Sequence, residues 1–143
     1  DVYKRQGKKL SDTTHFVTIN DNIFAYNPLK HRHAPEIKEK IKILSGKDIS
    51  VNFVPHLIPA TRGELVSVYA TLKADIDPIQ ILQERYKHDR FIRIRTQPVD
   101  VKSVAGTHFC DIYAQTNGKA PLYRVLLIIC FGGRVHKRWW RPI

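Results

Sequence analysis

The chain has 143 residues, a formal charge of +11, 43% hydrophobic residues and two cysteines. That length can bury a real core; no apolar stretch reaches the roughly 18 residues of a membrane span, and two cysteines are too few for a disulfide framework. The charge suits an anionic partner such as nucleic acid, but Lys4, Arg5, Arg124, Arg134, Lys137, Arg138 and Arg141, against Asp1 alone, place more than half of the excess at the two ends.

Residues 1–6 read as a cloning or library scar outside the fold, and Gly7 to Asp12 as a polar loop. Pro35 suits the first turn of a helix, where its missing N–H costs nothing. Ile37, Ile41 and Leu44 then form one apolar stripe, and Gly46 is a natural stop. Ser50 to Val54 alternates and predicts a strand ending near Pro55. Pro55 and Pro59 bracket His56 to Ile58 as a rigid, irregular connection. Glu64 to Lys73 gives the clearest strand, with Val66, Val68, Ala70 and Leu72 toward the core and Leu65, Ser67, Tyr69 and Thr71 opposite. Asp77-Pro78 supplies an N-cap and a first-turn proline for a helix to about Tyr86. Phe91 to Arg95 and His108 to Tyr113 read as strands. A turn at Asn117-Gly118 would join the latter to a last strand, Leu122 to Phe131, as a hairpin. Helices and strands mix without a βαβ rhythm, so the fold class is α+β.

Three segments carry chemistry. His31-Arg32-His33-Ala34-Pro35-Glu36-Ile37 puts two imidazoles and a carboxylate at the start of a helix. Histidine titrates near neutrality and suits proton transfer, and the glutamate gains from the helix N-terminus. On spacing alone, a surface pair or half of a metal site competes with a catalytic base. His15, His56 and His108 are the other imidazoles weighed for a metal, but they show no ligand spacing, so no metal is expected. Val54 to Gly63 presents His56, then Arg62, whose planar fork suits phosphate or carboxylate; a solvated surface arginine is the plain alternative. Gly106 to Ile112 sets His108 and Cys110 on one strand face and Asp111 on the other. Apart from His108, nothing nearby would acidify the thiol, so Cys110 and Cys130 read as buried inert thiols. No glycine-rich phosphate loop occurs.

His31-Arg-His-x-Pro-Glu-Ile, Pro55-His-Leu-x-Pro-x-x-Arg-Gly63 and Gly106-x-x-Phe-Cys-Asp-Ile112, in this order, resemble the C-terminal half of the N-acetyl-gamma-glutamyl-phosphate reductase family of arginine biosynthesis. Thr14-His-Phe and Ala25-Tyr26 agree, and the likeness runs from about Gly7 to Asn117. The resemblance implies a mixed, largely antiparallel sheet with helices on one side, similar to the catalytic and dimerisation domain of semialdehyde and glyceraldehyde-phosphate dehydrogenases. It implies NADPH-dependent reduction of a small-molecule acyl phosphate through a cysteine thioester, in a cytoplasmic homo-oligomer without nucleic-acid or membrane partners. His31 would be the general base, and His33, Glu36, Tyr26 and Arg62 would bind substrate.

The resemblance also implies what is missing. The family's Pro-Gly-Cys nucleophile and most of its dinucleotide-binding domain lie upstream of every motif here. Residues 7–121 are thus expected to be a catalytic-domain fragment inactive alone. Residues 122–143 would be the last strand and a tail. Where the family has a glycine-rich helix, the tail reads Gly132 to Ile143; the Trp139-Trp140 codons, TGG TGG, give Gly-Gly one base later. A frameshift is therefore expected after about residue 120, and a tail that does not pack. A basic nucleic-acid module stacking bases on Trp139 and Trp140 explains the charge but none of the motifs. The aminoadipate analogue of the reductase and aspartate semialdehyde dehydrogenase are kindred alternatives; the analogue's substrate differs by a methylene, which these residues cannot separate.

Overall fold

The computed structural model describes residues 16–60, 63–72, 74–119 and 122–131. The chain divides into two compact units between residues 61 and 62. The expected scar, the first loop and the tail from residue 132 lie outside the described residues.

The first unit contains α1 (Phe16–Ile19), β1 (Phe24–Ala25), α2 (His33–Ser45) and β2 (His56–Leu57), with Ile19 and Leu57 buried. β1 and β2 pair antiparallel, Phe24 opposite Leu57 and Ala25 opposite His56. This reverses the expectation for the segment: residues 50–55 form no strand, and the pairing falls on the stretch read as irregular. A strand over 50–54 would need an extended partner. What faces it is a turn, and the contact is two backbone bonds: Tyr26 N–H donates to the Pro55 carbonyl at 2.8 Å and Leu29 N–H to the Phe53 carbonyl at 3.2 Å.

Helix α2 starts at His33, two residues before the proline that announced it. Its first amides are already accounted for. His33 N–H donates to His31 Nδ1 at 3.3 Å, Ala34 N–H to the His31 carbonyl at 3.0 Å, and Pro35 has no N–H to satisfy. Gly46 ends the helix as expected, at φ 68° with its N–H on the Lys42 carbonyl at 2.8 Å. Ile37 and Ile41 are half-buried, and Leu44 is exposed.

The second unit holds β3 (Glu64–Leu72), α3 (Pro78–Tyr86), β4 (Ile92–Arg95), β5 (Cys110–Lys119) and β6 (Leu122–Phe131). The strand order is β3-β6-β5-β4. β6 runs antiparallel to both neighbours, and β4 runs parallel to β5. This is the α+β class, with a mixed, largely antiparallel sheet. β6 is apolar on successive residues from Val125 to Phe131, most of them half-buried in this interior strand. Asp77 caps α3, accepting from Ile79 N–H at 2.9 Å and Gln80 N–H at 3.2 Å. The helix packs mainly over β4 and β5, where Cys110, Ile112 and Ala114 are buried.

Two details differ from the sequence reading. Asn117 and Gly118 are not the hairpin turn: they pair with Arg124 and Tyr123, and the ladder runs on to Lys119 opposite Leu122. Local turn preference yields to register, because this pairing sets Ile112 and Ala114 beside Ile129 and Leu127 on one face. On β3, Val66 and Leu72 are half-buried, but Val68 is 41% exposed and Ala70 is exposed as well. β3 is the edge strand opposite the one that α3 packs over.

Asp111, 2% exposed, is held by the parallel register that sets Arg93 across from it. The Arg93 guanidinium donates to both carboxylate oxygens, at 2.6 and 2.9 Å, and lies 4.2 Å from the Phe109 ring centroid. A carboxylate at that depth needs such a partner.

Gly63 leads into β3 at φ 96°, and a Cβ there would meet Val101 Cγ1 at 2.3 Å and the Phe131 carbonyl at 3.2 Å. Gly46 has open space around it. Gly63→Ala is therefore expected to destabilise the chain by about 2–3 kcal/mol, and Gly46→Ala by about 1 kcal/mol. Denaturant melts check the order; equal losses would contradict the close approach at Gly63.

Candidate active site

The site lies in the first unit, where α2 begins. Residues 26–30 fold back on residues 53–55, and the turn takes two non-glycine residues into the left-handed region, Asn27 at φ 45° and Leu29 at φ 59°. Asparagine adopts that conformation readily; for leucine it costs about 1–2 kcal/mol. Leu29 is also 66% exposed, so packing against the described residues recovers little of that cost. The strain is held by the bonds to Phe53 and Pro55 and a third from Lys30 N–H to the Asn27 carbonyl at 3.2 Å.

This fold-back gathers four rings. The His31 imidazole lies edge-on to Tyr26, with centroids 5.6 Å apart, and edge-on to His33 at 4.6 Å. Phe53 lies 5.2 Å from His31 and 6.2 Å from His33. Tyr26, His31 and Phe53 are half-buried, while His33 and Glu36 are exposed. Partial desolvation first, then the nearby charges of His33 and Arg32, lower the pKa of His31 below its ordinary 6.5. His31 is thus held neutral near pH 7, the form that can exchange protons there.

Of the residues singled out in the sequence, Tyr26, His31 and His33 come together. Glu36 stands in the first turn of α2, but neither imidazole takes it as a hydrogen-bond partner among the described residues. Among the described residues it is the His33 amide that meets the His31 ring. Arg62 lies outside the described residues. Phe53 was missed, as was the strained turn. The Asn27-Pro28 pair marks a turn, but nothing local says that residues 53–55 close it.

The other candidates lie elsewhere. His56 is in β2, opposite Ala25. In the second unit His108 is exposed, its ring centroid 6.3 Å from that of Phe91. Cys110 and Cys130 are both buried. Desolvation, then Asp111 and Cys130, push the Cys110 thiol up to about 11; desolvation, then Asp100 and Asp111, push Cys130 up to about 11. Such thiols are poor nucleophiles. Among the described residues no group of three or more His, Cys, Asp or Glu could hold a metal ion, and no helix is long and apolar enough to cross a membrane.

A mixed α+β domain with an imidazole cluster at a helix start defines a class of enzyme-like domain rather than one protein. The comparisons narrow it. The family model for "Semialdehyde dehydrogenase, dimerisation domain" matches residues 3–129; the chain belongs to this family. An N-acetyl-gamma-glutamyl-phosphate reductase of Sulfurovum sp. (strain NBC37-1) is 76% identical over 114 residues, 80% of this chain and 34% of the relative. One of Wolinella succinogenes is 58% identical over 113 residues, 79% of this chain and 34% of the relative. One of Methanococcus maripaludis (strain C5) is 44% identical over 110 residues, 74% of this chain and 32% of the relative. The chain spans about one third of the length of these curated relatives.

Two measurements test the electrostatics. His31 should titrate below 6.5 when followed by NMR, and His33→Ala should recover part of the difference; a midpoint at or above the free-imidazole value would contradict the environment described. At pH 8 a thiol with a pKa near 11 is thiolate about once in a thousand molecules. Both cysteines should therefore resist alkylation until the chain is unfolded, and rapid labelling of folded Cys110 would show otherwise.

Proposed function

We propose that this chain is the substrate-domain segment of a reductase that converts N-acetyl-gamma-glutamyl phosphate to the semialdehyde with release of phosphate, within a homo-oligomer. The observation that carries the reading is the Tyr26–His31–His33 cluster at the start of α2, in a chain 76% identical to a reductase of that name over 114 residues. His31 is the acid/base group at the reacting carbonyl. His33, Glu36 and Tyr26 line the substrate, and Arg62 meets an anionic group on it. The name "dimerisation domain" of the matching family supports the oligomer, and a biosynthetic role of this kind supports the cytoplasm.

The nucleophile and cofactor are assigned outside this segment. Neither Cys110 nor Cys130 is exposed or acidified. A nicotinamide dinucleotide needs a glycine-rich turn feeding a helix N-terminus. The described residues do not fit it: the positive-φ glycines Gly46, Gly63, Gly106 and Gly118 stand singly, and α3 opens on the acidic Asp77. NADPH binding therefore belongs to parts of the relatives that this chain does not match.

The 143-residue chain alone is expected to show no NADPH-dependent reduction of the acyl phosphate. Grafted in place of the matching third of an active relative, it should support turnover. His31→Asn in that chimera should cut kcat about 10²–10⁴-fold, the usual worth of a positioned acid/base group. Turnover by the isolated chain, or a fully active His31→Asn chimera, would sink the reading.

A further inference from the structure

The sheet of the second unit has two edges, and they are built differently. β4 is four residues long and carries Arg93 and Arg95. A short edge strand with charged side chains guards against pairing with another chain. β3 has neither guard. Its nine residues, Glu-Leu-Val-Ser-Val-Tyr-Ala-Thr-Leu, hold no proline and, after Glu64, no charge. Its ladder to β6 runs residue by residue from Glu64 to Leu72 without a bulge. Among the described residues β3 has one neighbouring strand, so its outer edge faces no second one. Side-chain exposure says what kind of partner fits there. Leu65 and Tyr69 lie on one face of the sheet and are 49% and 77% exposed; Val68, on the other face, is 41% exposed, and Ala70 beside it is exposed as well. A body laid on one face would leave the other bare. A strand added at the edge sets side chains beside both.

We propose that β3 pairs antiparallel with β3 of a second copy of this chain, joining two four-stranded sheets into one of eight strands. This names a surface for the homo-oligomer of the proposed reductase, and it rests on that reading for its place in an intact enzyme. The edge is self-complementary. A two-fold axis at Val68 sets Glu64 opposite Leu72, Leu65 opposite Thr71, Val66 opposite Ala70 and Ser67 opposite Tyr69. Residues directly opposite across antiparallel strands share a face, so exposed apolar groups meet on both faces and no like charges oppose each other. Val68 meets its own copy on the axis. Because each copy offers the same edge, the assembly closes at two. The edges left over are the two short, arginine-bearing β4 strands. A matching family named for dimerisation agrees with a second copy as the occupant.

The test is sedimentation equilibrium of the 143-residue chain over a range of concentrations. The expected species is a dimer of the 16.6 kDa chain. Val68→Lys opposes two ammonium groups on the axis and should weaken association about tenfold or more. Gln115→Arg should leave association unchanged: Gln115 shares a shallow groove with Tyr69 and Leu126 on one face of the sheet, and it sits on β5 rather than at the β3 edge. Circular dichroism and alkylation-resistant cysteines check that each variant is folded. Hydrogen exchange adds a measure that needs no variant, and it decides should Val68→Lys misfold. Dilution from dimer to monomer should speed exchange at alternate amides of β3 and leave β6 as it was. A monomer throughout, open-ended assembly, a dimer that survives Val68→Lys, or β3 amides indifferent to dilution would each overturn the proposal. So would a dimer lost in Gln115→Arg, which would point to packing face on face. None of these outcomes bears on the grafted-enzyme assay, so a wrong interface and a wrong function can be told apart.

Discussion

Two backbone hydrogen bonds, from Tyr26 to Pro55 and from Leu29 to Phe53, hold the site together. They join residues 29 and 24 positions apart in the chain, and each is of a kind worth about 1 kcal/mol net. With the bond from Lys30 N–H to the Asn27 carbonyl, they hold Leu29 in a left-handed conformation that leucine avoids. The turn then delivers His31 beside Phe53 and Tyr26 and in line with the first amide of α2. The ring's partial burial and its lowered pKa both follow from where that turn ends.

The sheet of the second unit rests on different physics. β6 is paired with β5 along its whole length and with β3 from Tyr123 to Phe131, and its continuous apolar run suits that interior position. Asp111 is the exception in this apolar setting, and its forked bond to Arg93 makes it tolerable. The pair also fits the parallel register of β4 on β5, which places the two residues opposite one another. A buried carboxylate bonded to Arg93 and 3.7 Å from Arg95 Nε needs the arginine-bearing face of β4, which disfavours a one-residue slip of the strand. The same surroundings push both thiols upward, so the features that stabilise this unit also remove its cysteines from nucleophilic chemistry.

The site and the sheet differ in how far they are complete. The imidazole cluster is a constellation of aromatic and titratable groups without a nucleophile among the described residues. The second unit is a well-registered sheet, yet Val68 and Tyr69 on its edge strand are exposed. Both features suit a segment matching about one third of its relatives' length, whose family is named for dimerisation.

The sequence by itself determined the α+β class, the helix opened by Asp77-Pro78, the stop at Gly46, the last strand and the placing of His31 and His33 where a helix begins. Each is written in a local pattern: a cap, a left-handed glycine, an apolar run, a motif. It misplaced the strand near residue 52 and the hairpin turn at Asn117-Gly118. Both depend on which distant segment lies opposite, and no single stretch of chain encodes that. Phe53 escaped notice for the same reason, since an aromatic residue before a proline says nothing about the histidine it will meet. Only the tertiary structure decided that, among the described residues, Glu36 bonds neither imidazole while the His33 amide meets His31 Nδ1, because hydrogen-bond partnership is fixed by distance and direction rather than by residue type.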